Sequence, residues 1–246
     1  MADEEAIPAA TVIVMREGAG APELLMVERA AAMSFAGGAL VFPGGRVDPG
    51  DVALAASHAG DPDDIAARIA AVRETIEETG VAIGLDPAGT MPGLRDRLHA
   101  GEAIGALLEQ AGATLALDAL IPFARWLPRG VHHKVFDTRF YLARAPQGAE
   151  PVVDGNENVR VLWASAQAVL DAADRGEARI IFPTRRNLER LAGFASFEQA
   201  AADARAHEIR TVTPWVETRG GVDHLCIPDD LGYPVTAQPL PDAVRL

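Results

Sequence analysis

Residues 73–81, RETIEETGV, contain the most informative pattern in this sequence. At about 100° per residue, Glu74, Glu77 and Glu78 would lie on one face of a helix. Carboxylates at these spacings repel one another unless a cation lies among them, and hard oxygen ligands of this kind suit Mg²⁺ or Mn²⁺. The pattern therefore predicts a metal-binding helix. The alternative is a solvated acidic helix face.

The helix that carries these glutamates is predicted to begin near Asp61. Asp61 is a good N-cap, Pro62 fits the first helical position, and Gly80 is a natural C-terminal stop. Apolar residues recur at helical spacing on the face opposite the glutamates: Ile65, Ile69, Val72 and Ile76. This seam predicts that the helix packs against a core.

A glycine turn precedes this helix in residues 42–48, FPGGRVD. It is predicted to break sharply the apolar run of residues 39–42. Because Gly44 and Gly45 have no side chains, their backbone can approach a ligand closely and expose a carbonyl or an amide to it. A turn with nothing bound would have the same sequence. The turn and the glutamate helix together are far more specific than either alone.

Together the two segments resemble the signature of the Nudix hydrolases: Gly, five residues, Glu, seven residues, then Arg-Glu-apolar-x-Glu-Glu-x-Gly-apolar. After Gly45 and five intervening residues comes Asp51, an acid but not Glu. Residues 73–81 match the second half, with Thr75 at a position that is usually apolar. Residues 52–72 form a gap of twenty-one where seven is usual. This implies an insertion over about 52–65, predicted to be a loop and the first helical turn.

An insertion at this point is typical of a Nudix subgroup related to a peroxisomal coenzyme A diphosphatase. Other segments resemble that subgroup, namely residues 34–35, 41–45, 136–140 and 182–196, together with Glu157, six residues before Trp163. The resemblance extends over about residues 10–230. Upstream of the glycines, parts of the pattern of coenzyme A-cleaving relatives are present at Leu25, Arg29, Ala30 and Gly38, while Ser34 stands where a second arginine is expected.

The resemblance implies that water attacks one phosphorus of a diphosphate, with Mg²⁺ or Mn²⁺ neutralising charge. It implies that Glu77 and Glu78 are metal ligands and that Glu74 is a ligand or the general base. The carbonyl of Gly44 or of Gly45 is expected to complete the metal shell.

Two further residues are expected to assist catalysis. Arg73 would pair with a glutamate of the helix and orient it, unless it forms only a surface ion pair. Glu157 would supply an additional ligand or base from a separate loop, unless it is only an acid at the edge of a strand.

Substrate phosphates are expected to meet arginines, because guanidinium groups bind phosphate in a forked geometry. The candidates are Arg29, Arg46 and Arg139, each of which could also be an ordinary surface arginine. His132 and His133 lie beside a predicted turn and are weaker candidates for ligand contact.

Strand and helix patterns alternate along the rest of the chain. Strands are predicted at residues 11–16, 23–29, 39–42, 120–126, 134–143 and 159–163 and within 211–228, and helices at 92–112, 166–174, 183–191 and 196–207. This order favours a mixed sheet with helices on both faces. With the resemblance, it predicts a Nudix-type α/β/α sandwich. Residues 1–246 are predicted to form one domain, with its core over about 10–180 and helical additions over about 92–112 and 184–207.

Composition limits the class of partner. The chain has 246 residues and a formal net charge of −13, which disfavours binding to nucleic acid. No stretch approaches the roughly 20 apolar residues that span a bilayer, and the acidic start lacks a signal peptide, so a cytoplasmic protein is expected. The single cysteine, Cys226, is expected to be packed in an apolar stretch. A small-molecule substrate is expected, and the oligomeric state stays open, a homodimer included.

The leading hypothesis from the sequence is a diphosphatase acting on coenzyme A or an acyl-coenzyme A. The same chemistry on ADP-ribose, NADH or a nucleotide sugar is the nearest alternative. A metabolite sensor without catalysis is a third reading, which the complete glutamate set disfavours. Hydrolysis of an RNA cap is a fourth, which the acidic charge disfavours.

Overall fold

The structure is a computed structural model that describes residues 6–33, 35–88, 91–129, 135–155 and 157–240. Ser34, His132 and His133 lie outside these residues, so the expectations attached to them are not addressed by the structure.

The elements follow the predicted pattern closely. The strands are β1 (Ile7–Arg16), β2 (Glu23–Arg29), β3 (Leu40–Val41), β4 (Gly44–Arg46), β5 (Leu85–Asp86), β6 (Thr114–Leu115), β7 (Ile121–Trp126), β8 (Phe136–Arg144), β9 (Asn158–Ser165), β10 (Thr211–Val212), β11 (Trp215–Arg219), β12 (Val222–Cys226) and β13 (Ala237–Pro239). The helices are α1 (Pro49–Ala55), α2 (Pro62–Thr79), α3 (Leu94–His99), α4 (Ile104–Ala111), α5 (Ala166–Asp174), α6 (Phe182–Leu191) and α7 (Phe197–Ala206).

The main sheet is mixed, as predicted. Its strand order is β10-β7-β8-β1-β2-β3, with β4 paired to β1 and β9 paired to β2. Strand β1 runs parallel to β8 and antiparallel to β2 and β4. The smaller sheets are β11-β12-β13 and β5-β6.

Helices cover both faces of the main sheet, and the alternation along β1 shows how the two layers form. Val12 and Val14 face the layer of α1 to α4, whereas Ile13 and Met15 face the layer of α5 to α7. All four side chains are buried, which is typical of a strand covered on both faces. The predicted α/β/α sandwich is therefore confirmed.

Helix α2 has the bounds that its cap residues predict. The Asp61 side chain accepts a hydrogen bond from the Asp63 N–H at 3.1 Å, and Pro62 opens the helix. Gly80 ends it with φ of 72°, the left-handed conformation that favours glycine at a C-cap. Within the predicted seam, Ile69, Val72 and Ile76 are fully buried and Ile65 is half-buried.

The apolar run breaks before the glycine segment, as predicted, since β3 ends at Val41 and Pro43 lies in a bend. The glycines themselves lie in a strand, where a turn was expected. Residues Gly44–Arg46 form β4, which pairs with β1 through Ala9, Ala10 and Thr11. A Cβ atom at position 44 would lie 2.3 Å from the Ala10 carbonyl oxygen. Glycine is therefore required because the two backbones approach too closely for a side chain.

The insertion is also more regular than predicted. Part of residues 52–65 belongs to α1, which begins at Pro49 instead of leaving a loop. The Asp51 carboxylate accepts a hydrogen bond from the Asp48 N–H at 2.9 Å and completes a capping box. This capping box starts a helix where a loop was expected.

The additions join the sandwich in two ways. The irregular helical pattern of residues 92–112 becomes α3 and α4, separated near Gly101. Strand β10 adds to the edge of the main sheet beside β7.

Cys226 is buried, as expected for a packing residue. Across the described ranges, no helix is long and apolar enough to cross a membrane.

Candidate active site

The glutamate helix and the glycine segment border one cavity of about 590 Å³. Nine of the ten residues proposed from the sequence border it, namely Arg29, Gly44, Gly45, Arg46, Arg73, Glu74, Glu77, Glu78 and Glu157. The tenth, Arg139, is not among its lining residues. The Arg139 guanidinium lies 3.4 Å from Asp64 and 3.7 Å from Asp61, at the start of α2.

Glu78 is the most buried of the three glutamates, with 4% of its surface exposed. Its Oε2 accepts a hydrogen bond from the Gly44 N–H at 3.0 Å, and its Oε1 lies 3.8 Å from Nη1 of Arg29. Burial, together with the nearby charge of Glu74, raises the pKa of Glu78 to about 8. The positive charge near Glu78 is therefore too small to keep its carboxylate ionised at neutral pH.

Glu74 lies against the glycine segment. Its carboxylate atoms occupy positions 2.3 to 2.7 Å from where a Cβ of residue 45 would be, so Gly45 makes room for it. Burial raises the pKa of Glu74 to about 7, although Arg73 opposes this shift. Burial also raises the pKa of Glu77, again against the charge of Arg73. The cluster is short of positive charge at neutral pH.

Arg73 organises the cluster and has a partner that the sequence reasoning missed. Its Nη1 donates to Glu74 and Glu77, at 3.0 and 2.9 Å. Its Nε and Nη2 donate to the two oxygens of Asp51, at 3.1 and 2.9 Å, and Nη2 also reaches the Arg46 carbonyl. Burial alone would lower the pKa of Arg73, but the Asp51 hydrogen bonds and the glutamate charges raise it above its usual value.

In the sequence, Asp51 stands out only as a departure from the Nudix signature. Its carboxylate is 1% exposed and holds Arg73 in a bidentate pair. The signal that could have identified it is its position after Gly45 and five intervening residues, where the signature has an acid.

The cavity also has an apolar wall, which the sequence reasoning did not predict. It is formed by residues from distant segments, namely Met33, Phe35, Phe42, Trp126, Phe136, Phe140, Ile181 and Pro183. The rings of Phe35 and Phe136 lie 5.0 Å apart between centroids, tilted by 54°. The cavity therefore offers a charged wall and an aromatic wall to one ligand.

Glu157 and Arg46 lie at the exposed margin of the cavity. The Glu157 N–H donates to the Asp154 carboxylate at 3.1 Å, which fixes the loop before β9. The next residue, Asn158, is fully buried behind this loop. Glu157 is therefore held by its backbone while its side chain stays accessible.

The glutamates suit a divalent cation in chemistry but are not arranged around one point. Among the described residues, no three acid, imidazole or thiol side chains converge at metal-ligand distances. The reason is that Arg73 holds Glu74 and Glu77, while the Gly44 N–H holds Glu78. Three hard-oxygen ligands with raised pKa values nevertheless form a donor set that fits Mg²⁺ or Mn²⁺.

The fold and the acid-lined cavity beside a glycine segment agree with the comparisons with known proteins. The NUDIX domain family matches residues 6–99. A NUDIX hydrolase from Alicyclobacillus acidocaldarius is 32% identical, with a TM-score of 0.73, over 82% of this chain and 97% of its own. The chain belongs to the Nudix hydrolase family.

Two curated relatives extend the likeness. Putative nudix hydrolase 7 of Caenorhabditis elegans is 29% identical over 68% of this chain, which spans only 55% of that protein's length. The human acyl-coenzyme A diphosphatase NUDT19 is 26% identical over 85% of this chain and 72% of its own length. The similarity to NUDT19 supports the predicted resemblance to coenzyme A diphosphatases.

We expect Mg²⁺ to raise the melting temperature, and the rise to grow with pH. The folded-state pKa values of Glu74 and Glu78, about 7 and about 8, lie above the ordinary value of 4.5. Raised carboxyl pKa values stabilise the metal-free fold below the unfolded pKa, and this stabilisation is lost as pH rises through the folded pKa. A cation that binds the ionised carboxylates therefore stabilises more at high pH.

Differential scanning calorimetry with about 10 mM Mg²⁺ or with EDTA, near pH 6 and near pH 9, measures this effect. The Glu109→Gln variant, altered on the exposed face of α4, should behave as the unaltered protein does. A Mg²⁺-induced rise that is equal at both pH values, or larger near pH 6, would count against these carboxylates as the cation site.

Proposed function

We propose that this protein hydrolyses the diphosphate linkage of a nucleoside diphosphate derivative, with Mg²⁺ or Mn²⁺ as cofactor. The observation that carries the proposal is the convergence of Glu74, Glu77 and Glu78 with the glycine segment on one cavity. The pKa values of Glu74 and Glu78 support it, because burial raises both even though Arg73 and Arg29 lie nearby, so these carboxylates can still accept a cation.

The roles of the chain's own residues follow from their positions. Glu77, Glu78 and Glu74 would hold the metal with the carbonyl of Gly45, while the Gly44 N–H is engaged by Glu78. When bound, the metal neutralises charge on the phosphates and lowers the pKa of water. Arg73 orients Glu74 and Glu77 through hydrogen bonds to both.

Proton transfer from the attacking water has two candidate acceptors. Glu74, whose pKa burial raises to about 7 in the metal-free protein, is suited to accept a proton near neutral pH where it is not itself a metal ligand. Glu157 stays exposed at the cavity margin and can reach a water there. Since both carboxylates border the same cavity, we assign the role of general base to one of these two residues. The pH dependence of hydrolysis by the Glu74→Gln and Glu157→Gln variants would separate them.

We further propose that the substrate is coenzyme A or an acyl-coenzyme A. The likeness to human NUDT19, an acyl-coenzyme A diphosphatase, supports this class. The charged wall and the aromatic wall of the cavity fit this substrate class. The phosphates need cations, and the nucleobase or the acyl arm needs an apolar surface. Arg29 and Arg46 are the cavity arginines available for the phosphates.

A substrate panel tests both proposals. Coenzyme A, acyl-coenzyme A, ADP-ribose, NADH and a nucleotide sugar are incubated with Mg²⁺, with Mn²⁺ or with EDTA, and the phosphate-containing products are quantified. We expect metal-dependent cleavage of the coenzyme A compounds into 3′,5′-ADP and a 4′-phosphopantetheine product. Cleavage of another compound alone would keep the chemistry and reject the substrate. Cleavage that survives EDTA would reject the metal-dependent mechanism.

A further inference from the structure

Arg29 enters the cavity through an irregularity in the main sheet. It is the last residue of β2, and the pairing of β2 with β9 shifts register between Glu28 and Arg29. The Arg29 N–H donates to the Ala39 carbonyl, and the Arg29 carbonyl accepts from the Gly38 N–H, both at 3.0 Å. A bulge of this kind re-aims a side chain. Here it places the Arg29 guanidinium beside Glu78.

The Arg29 side chain is only weakly held at this position. Its Nη1 lies 3.8 Å from Glu78 Oε1, which is an ion pair but too long for a hydrogen bond. Its Nε is buried and has no hydrogen-bond partner within the described residues. Arg185 and Arg186 also have an unpaired buried Nε, but other nitrogens of their guanidinium groups donate hydrogen bonds, whereas the Arg29 side chain donates none to the described residues.

Arg73 provides the contrast within the same cluster. Each of its three guanidinium nitrogens donates hydrogen bonds, to Asp51, Glu74, Glu77 and the Arg46 carbonyl. Moving Arg73 would break all of these hydrogen bonds. Moving Arg29 would break only one long ion pair. Of the two arginines that pair with the glutamate carboxylates, Arg29 is the one whose guanidinium can move away from them with the smaller loss of contacts.

We propose that the Arg29 guanidinium partly balances the charge of Glu78 in the metal-free protein. When Glu78 binds the metal, this guanidinium moves to a phosphate of the substrate. The inference rests on the proposed function and adds a coupling to it. Arg29 competes with the metal for Glu78, and its release supplies the positive charge that the incoming diphosphate needs. Metal and substrate therefore assist each other's binding through one side chain.

The movement of Arg29 follows from the charges at the site. A divalent ion beside Glu78 repels a guanidinium at 3.8 Å from the same carboxylate. The guanidinium then has all of its donors available, and a phosphate group accepts a fork of two N–H bonds. Because Arg29 borders the cavity, it can reach such a phosphate without leaving the site.

The test measures metal binding in the absence of substrate. Calorimetric titration with Mn²⁺ is carried out near pH 8.5 on the unaltered protein and on Arg29→Gln, Arg29→Lys and Arg46→Gln. We expect Arg29→Gln to bind Mn²⁺ about fivefold or more tightly, because a competing cation is gone. Arg29→Lys should return the affinity towards that of the unaltered protein. Arg46→Gln removes the same charge from the exposed margin and should change Mn²⁺ affinity by less than Arg29→Gln.

Steady-state kinetics supply the second half of the test. The same Arg29→Gln variant should have a higher KM for the diphosphate substrate that the panel identifies. Tighter metal binding with weaker substrate binding is a combination that misfolding does not produce, since misfolding weakens both. Unchanged or weaker Mn²⁺ binding by Arg29→Gln, while the unaltered protein binds Mn²⁺ and hydrolyses substrate, would overturn this inference alone. Failure of the unaltered protein to bind Mn²⁺ would overturn it together with the proposed metal site.

Discussion

The Glu78→Gln variant is expected to fold normally and to lose nearly all hydrolysis. Glutamine keeps the shape of Glu78, and its carbonyl oxygen can still accept the hydrogen bond from the Gly44 N–H. What disappears is the negative charge that would bind the metal. We expect kcat to fall by about 10²- to 10³-fold or more, the range seen when one electrostatic group of a catalytic site is removed.

Stability should move in the opposite direction from activity. The pKa of Glu78 is about 8, so the folded protein already resists ionising this group near neutral pH. A neutral side chain should therefore leave the metal-free melting temperature unchanged or higher, and the rise caused by Mg²⁺ should shrink. The Glu109→Gln variant, on an exposed face of α4, serves as the matched control and should keep full activity. Near-normal hydrolysis by Glu78→Gln would remove Glu78 from the proposed metal site.

The parts of this molecule that could be predicted from the sequence are those set by neighbouring residues. Helix α2 begins after Asp61 and ends at Gly80 because the cap residues act within one turn of the helix. The position of Glu74, Glu77 and Glu78 on a common wall of the cavity then follows from helical geometry. Local chemistry therefore sufficed for the helix that carries the proposed ligands.

The features that escaped prediction depend on segments far apart in the chain. Pairing of β4 with β1 joins residues 44–46 to residues 9–11, and periodicity within residues 42–48 gives no sign of it. The aromatic wall unites Phe35 with Phe136, about a hundred residues later. A sequence pattern reports which face of an element is apolar, but not which distant element will cover it. The apolar side of the cavity could therefore be seen only in the fold.

The insertion depends both on neighbouring residues and on a contact between distant segments. It lengthens the connection between the glycine segment and α2, and its first residues form the second half of α1, directly after Asp51. That short helix buries Asp51 and directs its carboxylate at Arg73, across 22 residues of sequence. The added length therefore leaves the glutamate cluster intact, because an ion pair fixes the beginning of the insertion to the helix that follows it.

Loss of the Arg73 side chain is expected to be the most destabilising single change in this cluster. In Arg73→Gln, the buried carboxylate of Asp51 would lose its bidentate partner, and Glu74 and Glu77 would lose a shared donor. Removing one member of a buried ion pair typically costs about 3–5 kcal/mol. We therefore expect a loss of about 3 kcal/mol in the free energy of unfolding, measured by urea denaturation without metal, with an unchanged m value.

A double-mutant cycle identifies Asp51 as the partner that matters. Asp51→Asn should itself be destabilising, and the Arg73→Gln/Asp51→Asn double variant should lose clearly less than the sum of the two single variants, since one interaction is counted in both. Arg97→Gln is the matched control, because Arg97 pairs with Glu102 on the surface, where solvent screens such pairs and they contribute little to stability. Strictly additive losses would show that Arg73 and Asp51 act independently. Coupling of the size expected for a buried pair would mean that one contact both fastens the insertion and holds Arg73 in place to orient Glu74 and Glu77.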